Sequence, residues 1–237
     1  AYLKPPAGYP ITESAPLRNP YWQYSRDKIA CEEYFMSLFI NENFPVTIVR
    51  PSHTYSSNSV PAGLHGENGS WQIAARILAG RKVLIHGDGT SLWTMTDSRD
   101  LAKGFVGLMG NIHAIGEAVH ITSDEALSWN QIYTCLADAL GKKLEPFHVS
   151  SDFLSSVCYY DIKGTLLGDK SHCAIFDNTK IKRLVPGFSA DIRFDQGIRD
   201  TVNFILSHPE YQTADPEFDA WCDRVIDIVS KSAAGIC

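Results

Sequence analysis

The pattern of apolar and polar positions alternates along the chain between a helical period and short β-branched runs. Val46–Val49 is such a run, stopped by Pro51, and it predicts a buried strand. Two stretches have the spacing of an amphipathic helix. The apolar positions are Cys31, Tyr34, Phe35, Leu38 and Phe39 in a helix after Pro20, and Ile132, Cys135, Leu136, Ala139 and Leu140 in a helix started by Ser128.

Shorter segments complete this alternation. Val83–Ile85 and Ala118–Ile121 are predicted to be strands. Ser70 is expected to cap a helix that runs to Leu78, and Asp100 to cap one that ends near Gly110. Strands that alternate with helices predict an α/β fold with a mostly parallel sheet.

The strands are few for a complete sheet of this kind. We find two good strands and one or two short ones, whereas a doubly wound domain usually has about six parallel strands. The chain also begins at Ala1 without an initiator methionine. We therefore expect the second half of a larger fold.

Composition narrows the class of protein. The 237 residues are 44% hydrophobic and 20% charged, with a net charge of −6, which fits an ordinary globular protein and argues against a nucleic-acid binder. The longest apolar runs are far shorter than the roughly 20 residues of a membrane span, and no signal peptide is visible. The six cysteines form no CxxC pair, so reduced thiols and a cytoplasmic location are expected. They are Cys31, Cys135, Cys158, Cys173, Cys222 and Cys237.

Tyr24 and Lys28 are the first candidates for chemistry. They are four residues apart at the start of the Pro20 helix, so they share a face with Cys31 and Phe35, which are expected to be core positions. An ammonium held near a tyrosine favours phenolate and would lower the pKa of Tyr24, as a general acid/base for alcohol–ketone chemistry requires. The alternative is that Tyr24 is a surface aromatic residue and Lys28 extends its charge into water.

The surroundings of this pair resemble the extended short-chain dehydrogenases/reductases of the nucleotide-sugar epimerase/dehydratase type. The resemblance runs in order through about the first 140 residues and is weak beyond them. The residues that carry it are Ile11-Thr12-Glu13, Pro16, Pro20, Tyr24, Lys28, Glu32, Arg50-Pro51, Tyr55, Gly87-Asp88-Gly89, Asp100-Leu101-Ala102 and Val119-His120-Ile121.

This resemblance implies an NAD- or NADP-dependent oxidoreductase or isomerase that acts on a hydroxyl or keto group of a sugar-like or other small molecule. Tyr24 would exchange the proton at the reacting hydroxyl, and Lys28 would bind the nicotinamide ribose and lower the pKa of Tyr24. The chain near Pro51 and His53 would lie beside the nicotinamide carboxamide. The helper serine or threonine and the glycine-rich dinucleotide fingerprint would lie upstream of Ala1.

One departure from the family pattern concerns the substrate. Relatives that handle nucleotide sugars usually carry an arginine after the Gly-Asp-Gly turn, where it holds the diphosphate, and Trp93 stands here instead. A nucleoside-diphosphate sugar is therefore doubtful as substrate, and Trp93, His53 and Tyr55 are predicted to line a pocket for a less charged molecule. The alternatives are a core tryptophan at 93 and a loop histidine at 53.

The resemblance also implies a domain plan. We expect the C-terminal part of a Rossmann-like parallel sheet, which is half of a dinucleotide-binding domain, plus a smaller mixed α/β substrate domain. The expected partners are a small-molecule substrate and the N-terminal half of the same protein, with a homodimer as one assembly that would cover the open sheet; neither a membrane nor a nucleic acid is expected. The first domain would comprise residues 1–51 and 100–124, and the second residues 52–99 and 125–237.

Other chemistries have less support in the sequence. The spacing of Gly63, Gly66 and Gly69 matches GxxGxxG, but no buried strand precedes it, so a flexible loop near the substrate is expected instead of a phosphate loop. Neither GxSxG, HExxH nor CxxC is present, and no metal site is expected. The second hypothesis is a relative without turnover that serves as a binding or regulatory protein, with RNA as one candidate ligand.

Overall fold

The computed structural model describes residues 1–234, in which short strands and helices are mixed up to residue 149 and helices follow. Cys237, the last residue of the predicted substrate domain, lies outside this range. The helices are α1 (Gln23–Glu42), α2 (Trp71–Leu78), α3 (Ser98–Leu108), α4 (Trp129–Ala139), α5 (Ser151–Val157), α6 (Lys163–Thr165), α7 (Thr179–Leu184), α8 (Phe194–Ser207) and α9 (Pro216–Ala234). The strands are β1 (Ile48–Pro51), β2 (His53–Tyr55), β3 (Val83–His86), β4 (Leu92–Trp93), β5 (Met95–Asp97), β6 (Ala118–Ile121), β7 (Leu127–Ser128) and β8 (Pro146–Val149).

Three strand pairs are parallel, which agrees with the expected α/β class. β1 pairs with β6, so that Ile48 lies opposite Ala118. β2 pairs with β5, with His53 opposite Met95. β3 pairs with β8 in the same sense. Because parallel strands need a crossover between them, each pair joins segments that are far apart in the sequence.

The chain forms two compact units that interleave along the sequence. Residues 91–99 and 163–194, which the sequence analysis placed in the substrate domain, lie in the first unit. The assignment of one unit to coenzyme and the other to substrate stays a prediction. The first unit is Ala1–Tyr55, Ser91–Leu127 and Lys163–Phe194, and the second is Ser56–Thr90, Ser128–Ile162 and Asp195–Cys237.

The predicted helix at Ser128 is confirmed in detail. The Ser128 side chain and Gln131 form a capping box at the start of α4, and Gly141 follows its end with φ +65°. The buried face packs against α2, as the apolar period requires. Cys135 and Ala139 are only half-buried, so the face is turned slightly from the predicted one. Its buried residues are Trp129, Ile132, Tyr133, Leu136 and Ala137.

The prediction of a buried stripe on α1 is wrong for the described residues. Cys31, Tyr34 and Phe35 are exposed, and Leu38 and Phe39 are half-buried. The face that α1 turns toward its unit is polar instead, because Ser25 and Glu32 make side-chain hydrogen bonds there. Because α1 is attached through polar side chains, its apolar stripe lies outside the contact with the rest of the unit.

Two other local expectations need correction. Asp97, rather than Asp100, caps α3 by accepting a hydrogen bond from the Arg99 N–H, and Asp100 is fully buried within the first turn. There the Asp100 carboxylate accepts hydrogen bonds from Lys103 and from the Ile192 N–H. The strand expected at Val46 starts at Ile48 and is half-buried, so β1 is not a fully enclosed strand.

The glycine spacing at 63–69 reflects close packing. A Cβ atom at Gly63 would lie 2.8 Å from the His86 ring, and one at Gly66 would collide with the Asp215 carboxylate. At both glycines the backbone therefore runs directly against neighbouring side chains, which leaves no room for a Cβ atom. The placement of this loop near the substrate stays a prediction.

Candidate active site

Tyr24 and Lys28 form a close pair at the start of α1. The Lys28 ammonium lies 5.3 Å from the centroid of the Tyr24 ring, and the centroid of the Trp22 ring lies 4.9 Å from the same point. Tyr24 is 54% exposed and Lys28 is also exposed. The structure therefore brings the two predicted catalytic side chains together on a face that is open to solvent.

The start of α1 is fixed by Asn19. Its side-chain oxygen accepts hydrogen bonds from the N–H groups of Tyr21 and Trp22, each at 3.1 Å. Its side-chain amide donates to the Gly168 carbonyl at 2.6 Å. Both N–H groups precede Gln23, the first residue of α1, so these bonds hold the turn from which the helix begins.

Farther along, α1 is held to β1 by an ion pair. Arg50, the residue before Pro51, donates from Nε to Glu32 at 3.0 Å and pairs with the same carboxylate through a second nitrogen. Arg50 also donates to the Tyr2 hydroxyl at 2.7 Å and to the Glu13 carbonyl at 2.8 Å. A bidentate arginine–carboxylate pair restricts orientation as well as distance, so it fixes how α1 lies on the strand.

The network continues to the buried His120 on β6. The Asp177 carbonyl can only accept, so the contact of 3.1 Å places the proton of the neutral ring on Nδ1, and the Tyr2 hydroxyl donates to Nε2. Burial lowers the pKa of His120, and the Glu13 carboxylate, 3.8 Å from Nδ1, opposes this only in part. Burial also raises the pKa of Tyr2 to about 12, so its hydroxyl stays protonated.

Pro51 and His53 lie where β1 ends and β2 begins, and His53 meets Trp93 there. The indole Nε1 of Trp93 donates to Nδ1 of His53 at 3.3 Å, and the two rings meet edge to face. Trp93 is only 4% exposed. The centroid of its ring lies 5.9 Å from the Lys4 ammonium, which forms an ion pair with Asp169 at 3.1 Å.

Tyr55 is buried at the end of β2. Its ring packs edge to face on Phe194 at 5.3 Å, and 4% of the residue is exposed. Its hydroxyl is buried and makes no hydrogen bond within the described chain. Burial, together with the nearby Asp97 carboxylate, raises the pKa of Tyr55.

Two pairs of predicted site residues thus form, Tyr24 with Lys28 and His53 with Trp93. Sequence reasoning missed the ion pairs Arg50–Glu32 and Lys4–Asp169. The Arg50–Glu32 pair had a signal in the sequence, because Glu32 lies two helical turns after Tyr24 and Arg50 directly precedes Pro51. The second joins residues far apart in the sequence and had none.

Two other kinds of feature, a cluster of metal-ligating side chains and a membrane-spanning helix, are absent from residues 1–234. No three His, Cys, Asp or Glu side chains in this range are grouped so that they could hold a metal ion. Within the same range, no helix combines the length and the hydropathy needed to cross a bilayer.

The chain is similar in sequence to a known family and to one curated relative. A family model described as "NAD dependent epimerase/dehydratase family" matches residues 2–122. The chain is 26% identical over 180 residues to 2'-dehydrokanamycin reductase of Streptomyces kanamyceticus, a match covering 76% of this chain and 49% of the relative. The chain therefore spans about half the length of this curated relative.

Solved structures with the same fold include two coenzyme complexes. UDP-glucose 4-epimerase of Thermus thermophilus in complex with NAD superimposes with a TM-score of 0.65 at 20% identity, covering 86% of this chain and 60% of that one. RMD from Pseudomonas aeruginosa complexed with NADPH gives a TM-score of 0.62 at 17% identity, covering 85% of this chain and 61% of that one.

Proposed function

The chain belongs to the NAD dependent epimerase/dehydratase family, and from this premise we propose that Tyr24 and Lys28 are the acid/base pair of an NAD(P)-dependent reaction. The reaction takes place at a hydroxyl or keto group of a sugar-like molecule. The observation that carries the proposal is the Lys28 ammonium, 5.3 Å from the Tyr24 ring centroid at the exposed start of α1.

The division of labour follows from the two side chains. The Tyr24 hydroxyl gives its proton to the carbonyl oxygen during reduction and takes it back during oxidation. Lys28 stabilises the phenolate that forms in between, because a nearby positive charge favours the charged form of tyrosine. The coenzyme supplies or accepts the hydride when it is bound.

The side chains present fit the nicotinamide end of such a coenzyme. An exposed ammonium and hydroxyl at Lys28 and Tyr24 are suitable donors for ribose oxygens. The exposed chain at Pro51, followed by His53, supplies polar groups for the carboxamide. Neither pair of residues is a pyrophosphate site, so we expect the 237-residue chain by itself to bind NAD(P) weakly and to turn over poorly.

Tight coenzyme binding needs backbone N–H groups of a glycine-rich loop at a helix start, which carry the pyrophosphate. We propose that such a segment is supplied by an N-terminal half of the same protein and that a homodimer is one way to cover β1. Fluorescence titration of the chain with NADH tests this, and low-micromolar binding by a monomeric chain would contradict it.

For the substrate we propose a keto or hydroxy sugar without a nucleoside diphosphate. The His53–Trp93 pair carries no charge when His53 is neutral, and the Lys4 charge is already paired with Asp169. An arginine that grips a diphosphate through a charged hydrogen bond contributes about 1.5–3 kcal/mol, and Trp93 cannot replace it. The reductase from Streptomyces kanamyceticus, whose name specifies a dehydro derivative of kanamycin, supports the same substrate class.

The test uses a protein that contains this chain and turns over. Tyr24→Phe should lower kcat by about 10²–10⁴-fold, because it removes the exchangeable proton, while coenzyme binding is retained. Tyr34→Phe is the matched control, since Tyr34 is an exposed tyrosine on the same helix. Near-normal turnover by Tyr24→Phe would favour a binding or regulatory role, and micromolar binding of a UDP- or dTDP-sugar in calorimetry would contradict the substrate class.

A further inference from the structure

The loop before α1 surrounds a cavity of about 250 Å³. Its walls come from a single stretch of chain, residues 2–16, which lies entirely within the first unit. Neither the proposed acid/base pair nor the His53–Trp93 pair contributes to this lining. The lining includes Tyr2, Leu3, Tyr9, Ile11, Ala15 and Pro16.

Backbone hydrogen bonds hold the loop around the cavity. The Leu3 N–H donates to the Pro16 carbonyl at 2.9 Å, which closes the base of the loop. Farther along, the Ile11 N–H donates to the Ile175 carbonyl at 2.7 Å, and the Ile11 carbonyl accepts from the Asp177 N–H at 2.9 Å. The prolines in the lining restrict the backbone further, because their φ is fixed. The cavity is therefore formed before a ligand binds, as most ligand sites are.

Two tyrosines line the cavity, and their hydroxyl protons are directed elsewhere. The Tyr2 hydroxyl accepts a hydrogen bond from Arg50 at 2.7 Å and donates to His120. The Tyr9 hydroxyl donates to the Cys173 carbonyl at 3.2 Å, although the residue is 49% exposed. What these two side chains offer to a ligand is therefore mainly the aromatic ring.

The rest of the lining is also poor in hydrogen-bond donors. Three of its residues are prolines, which have no N–H. The Ala15 N–H donates to the Thr12 carbonyl at 3.0 Å, and the Thr12 and Ser14 hydroxyls are hydrogen-bonded to each other at 2.9 Å. None of the cavity's lining residues, all within residues 2–16, carries a charged side chain. Since a charge without a partner is costly to bury, the cavity favours an uncharged ligand.

The volume of the cavity limits the size of that ligand. Apolar cavities of about 150 Å³ bind benzene, and pockets for drug-sized ligands begin at about 300 Å³. A cavity of about 250 Å³ lies between these sizes and fits one or two rings. We propose that it is a binding site for an uncharged aromatic ring of a small molecule, held by apolar contacts with the proline and tyrosine rings. This site is additional to the acid/base reaction and does not depend on it.

The experiment uses three probes that share one ring and differ in charge: benzyl alcohol, benzoate and protonated benzylamine. Each is titrated into the ¹⁵N-labelled chain of 237 residues at neutral pH, and the amide shifts are recorded. Benzyl alcohol should shift amide signals within residues 2–16, with the millimolar affinity expected of so small a ligand. The two ions should bind at least about tenfold more weakly, because neither charge finds a partner in the lining.

Substitutions in the lining test whether benzyl alcohol occupies this cavity. Ala15→Leu should fill part of it and weaken the binding of benzyl alcohol at least about tenfold. Ala102→Leu is the matched control at an exposed alanine of α3 in the same unit, and it should leave the affinity unchanged. Tyr9→Phe keeps the ring and should retain most of the binding, whereas Tyr9→Ala removes one wall of the cavity and should weaken it.

The amide spectrum of each variant shows whether it is folded. If Ala15→Leu does not fold, the three probes on the unsubstituted chain and the Tyr9→Phe variant still decide. Ions that bind as tightly as benzyl alcohol would overturn the proposal, and so would benzyl alcohol shifts that occur on α1 and α3 but not within residues 2–16. An unchanged affinity in a folded Ala15→Leu chain would also overturn it.

Discussion

Helices α1 and α4 carry similar apolar periods in sequence but are held by different forces. α4 buries Trp129, Ile132 and Leu136 completely within the second unit. α1 has Ser25 as its buried residue, and it is fixed by the Arg50–Glu32 ion pair. Apolar burial stabilises α4, whereas oriented polar bonds fix α1, the helix that carries the proposed acid/base pair.

The difference teaches what a sequence period can determine. Spacing establishes which side chains share a face, and Tyr24, Lys28, Cys31 and Phe35 do share one. It does not establish what lies opposite that face. On α1 the attached face is about a quarter turn away, at about 100° per residue, and it is chosen by the partners of Ser25 and Glu32.

The largest effect that separates the two helices is expected from truncating their apolar side chains. Leu136→Ala should lower the free energy of unfolding of this chain by about 2–5 kcal/mol, because it leaves a cavity in a fully buried site. Phe35→Ala, at a residue that is 40% exposed, should change it by less than about 1 kcal/mol.

Urea unfolding of both variants, monitored by circular dichroism, measures the difference in the free energy of unfolding. Equal losses at Leu136 and Phe35 would mean that the apolar face of α1 is packed in solution and that the contrast between the helices is wrong.

Much of the fold could be predicted because local patterns determine it. The Ser128 cap, the helix after it and the strand at Ala118–Ile121 follow from residues that are adjacent in sequence. The cap of α3 could not be chosen, since Asp97 and Asp100 are both good caps. Burial of Asp100 depends on Ile192, which lies 92 residues away and has no signal in the local sequence.

The candidate site divides in the same way. The Tyr24–Lys28 pair needs only helical spacing, and the sequence predicted it. The contact of His53 with Trp93 needs the β2–β5 register, and the Lys4–Asp169 pair joins residues 165 positions apart, so neither could be obtained from local pattern. Their roles in catalysis and binding stay predictions.

A smaller effect is expected from pH. The polar network that holds α1 includes a histidine, whereas the apolar contacts that hold α4 do not titrate. The polar chain from Glu32 through Arg50 and Tyr2 ends at His120, whose pKa is lowered by burial. Below about pH 6.5 the unfolded chain is protonated at this histidine, whereas the folded chain is not. The free energy of unfolding therefore has its full value above about pH 6.5 and falls as the pH is lowered below it.

We expect the free energy of unfolding to change by at most about 1.4 kcal/mol per pH unit, which is the limit for one proton. Urea unfolding at about pH 7.5 and at successive lower values measures the slope, and His120→Gln should reduce it. His113→Gln, at an exposed histidine, should leave the slope unchanged. A slope that survives in His120→Gln would show that other groups cause it.

The smallest effect concerns the ends of the two helices. α1 is capped by Asn43 at φ 57°, and α4 is followed by Gly141 at φ 65°, so both use the left-handed region. A Cβ atom at Gly141 meets nothing within 4 Å, so Gly141→Ala adds only backbone strain and should cost about 1 kcal/mol. Asn43→Gly removes the corresponding strain at α1, but it adds freedom to the unfolded chain, and these opposed terms should leave the stability within about 0.5 kcal/mol. Thermal unfolding of the two variants measures both. A loss at Asn43→Gly as large as that at Gly141→Ala would mean that the Asn43 side chain supports the end of α1 beyond its backbone conformation.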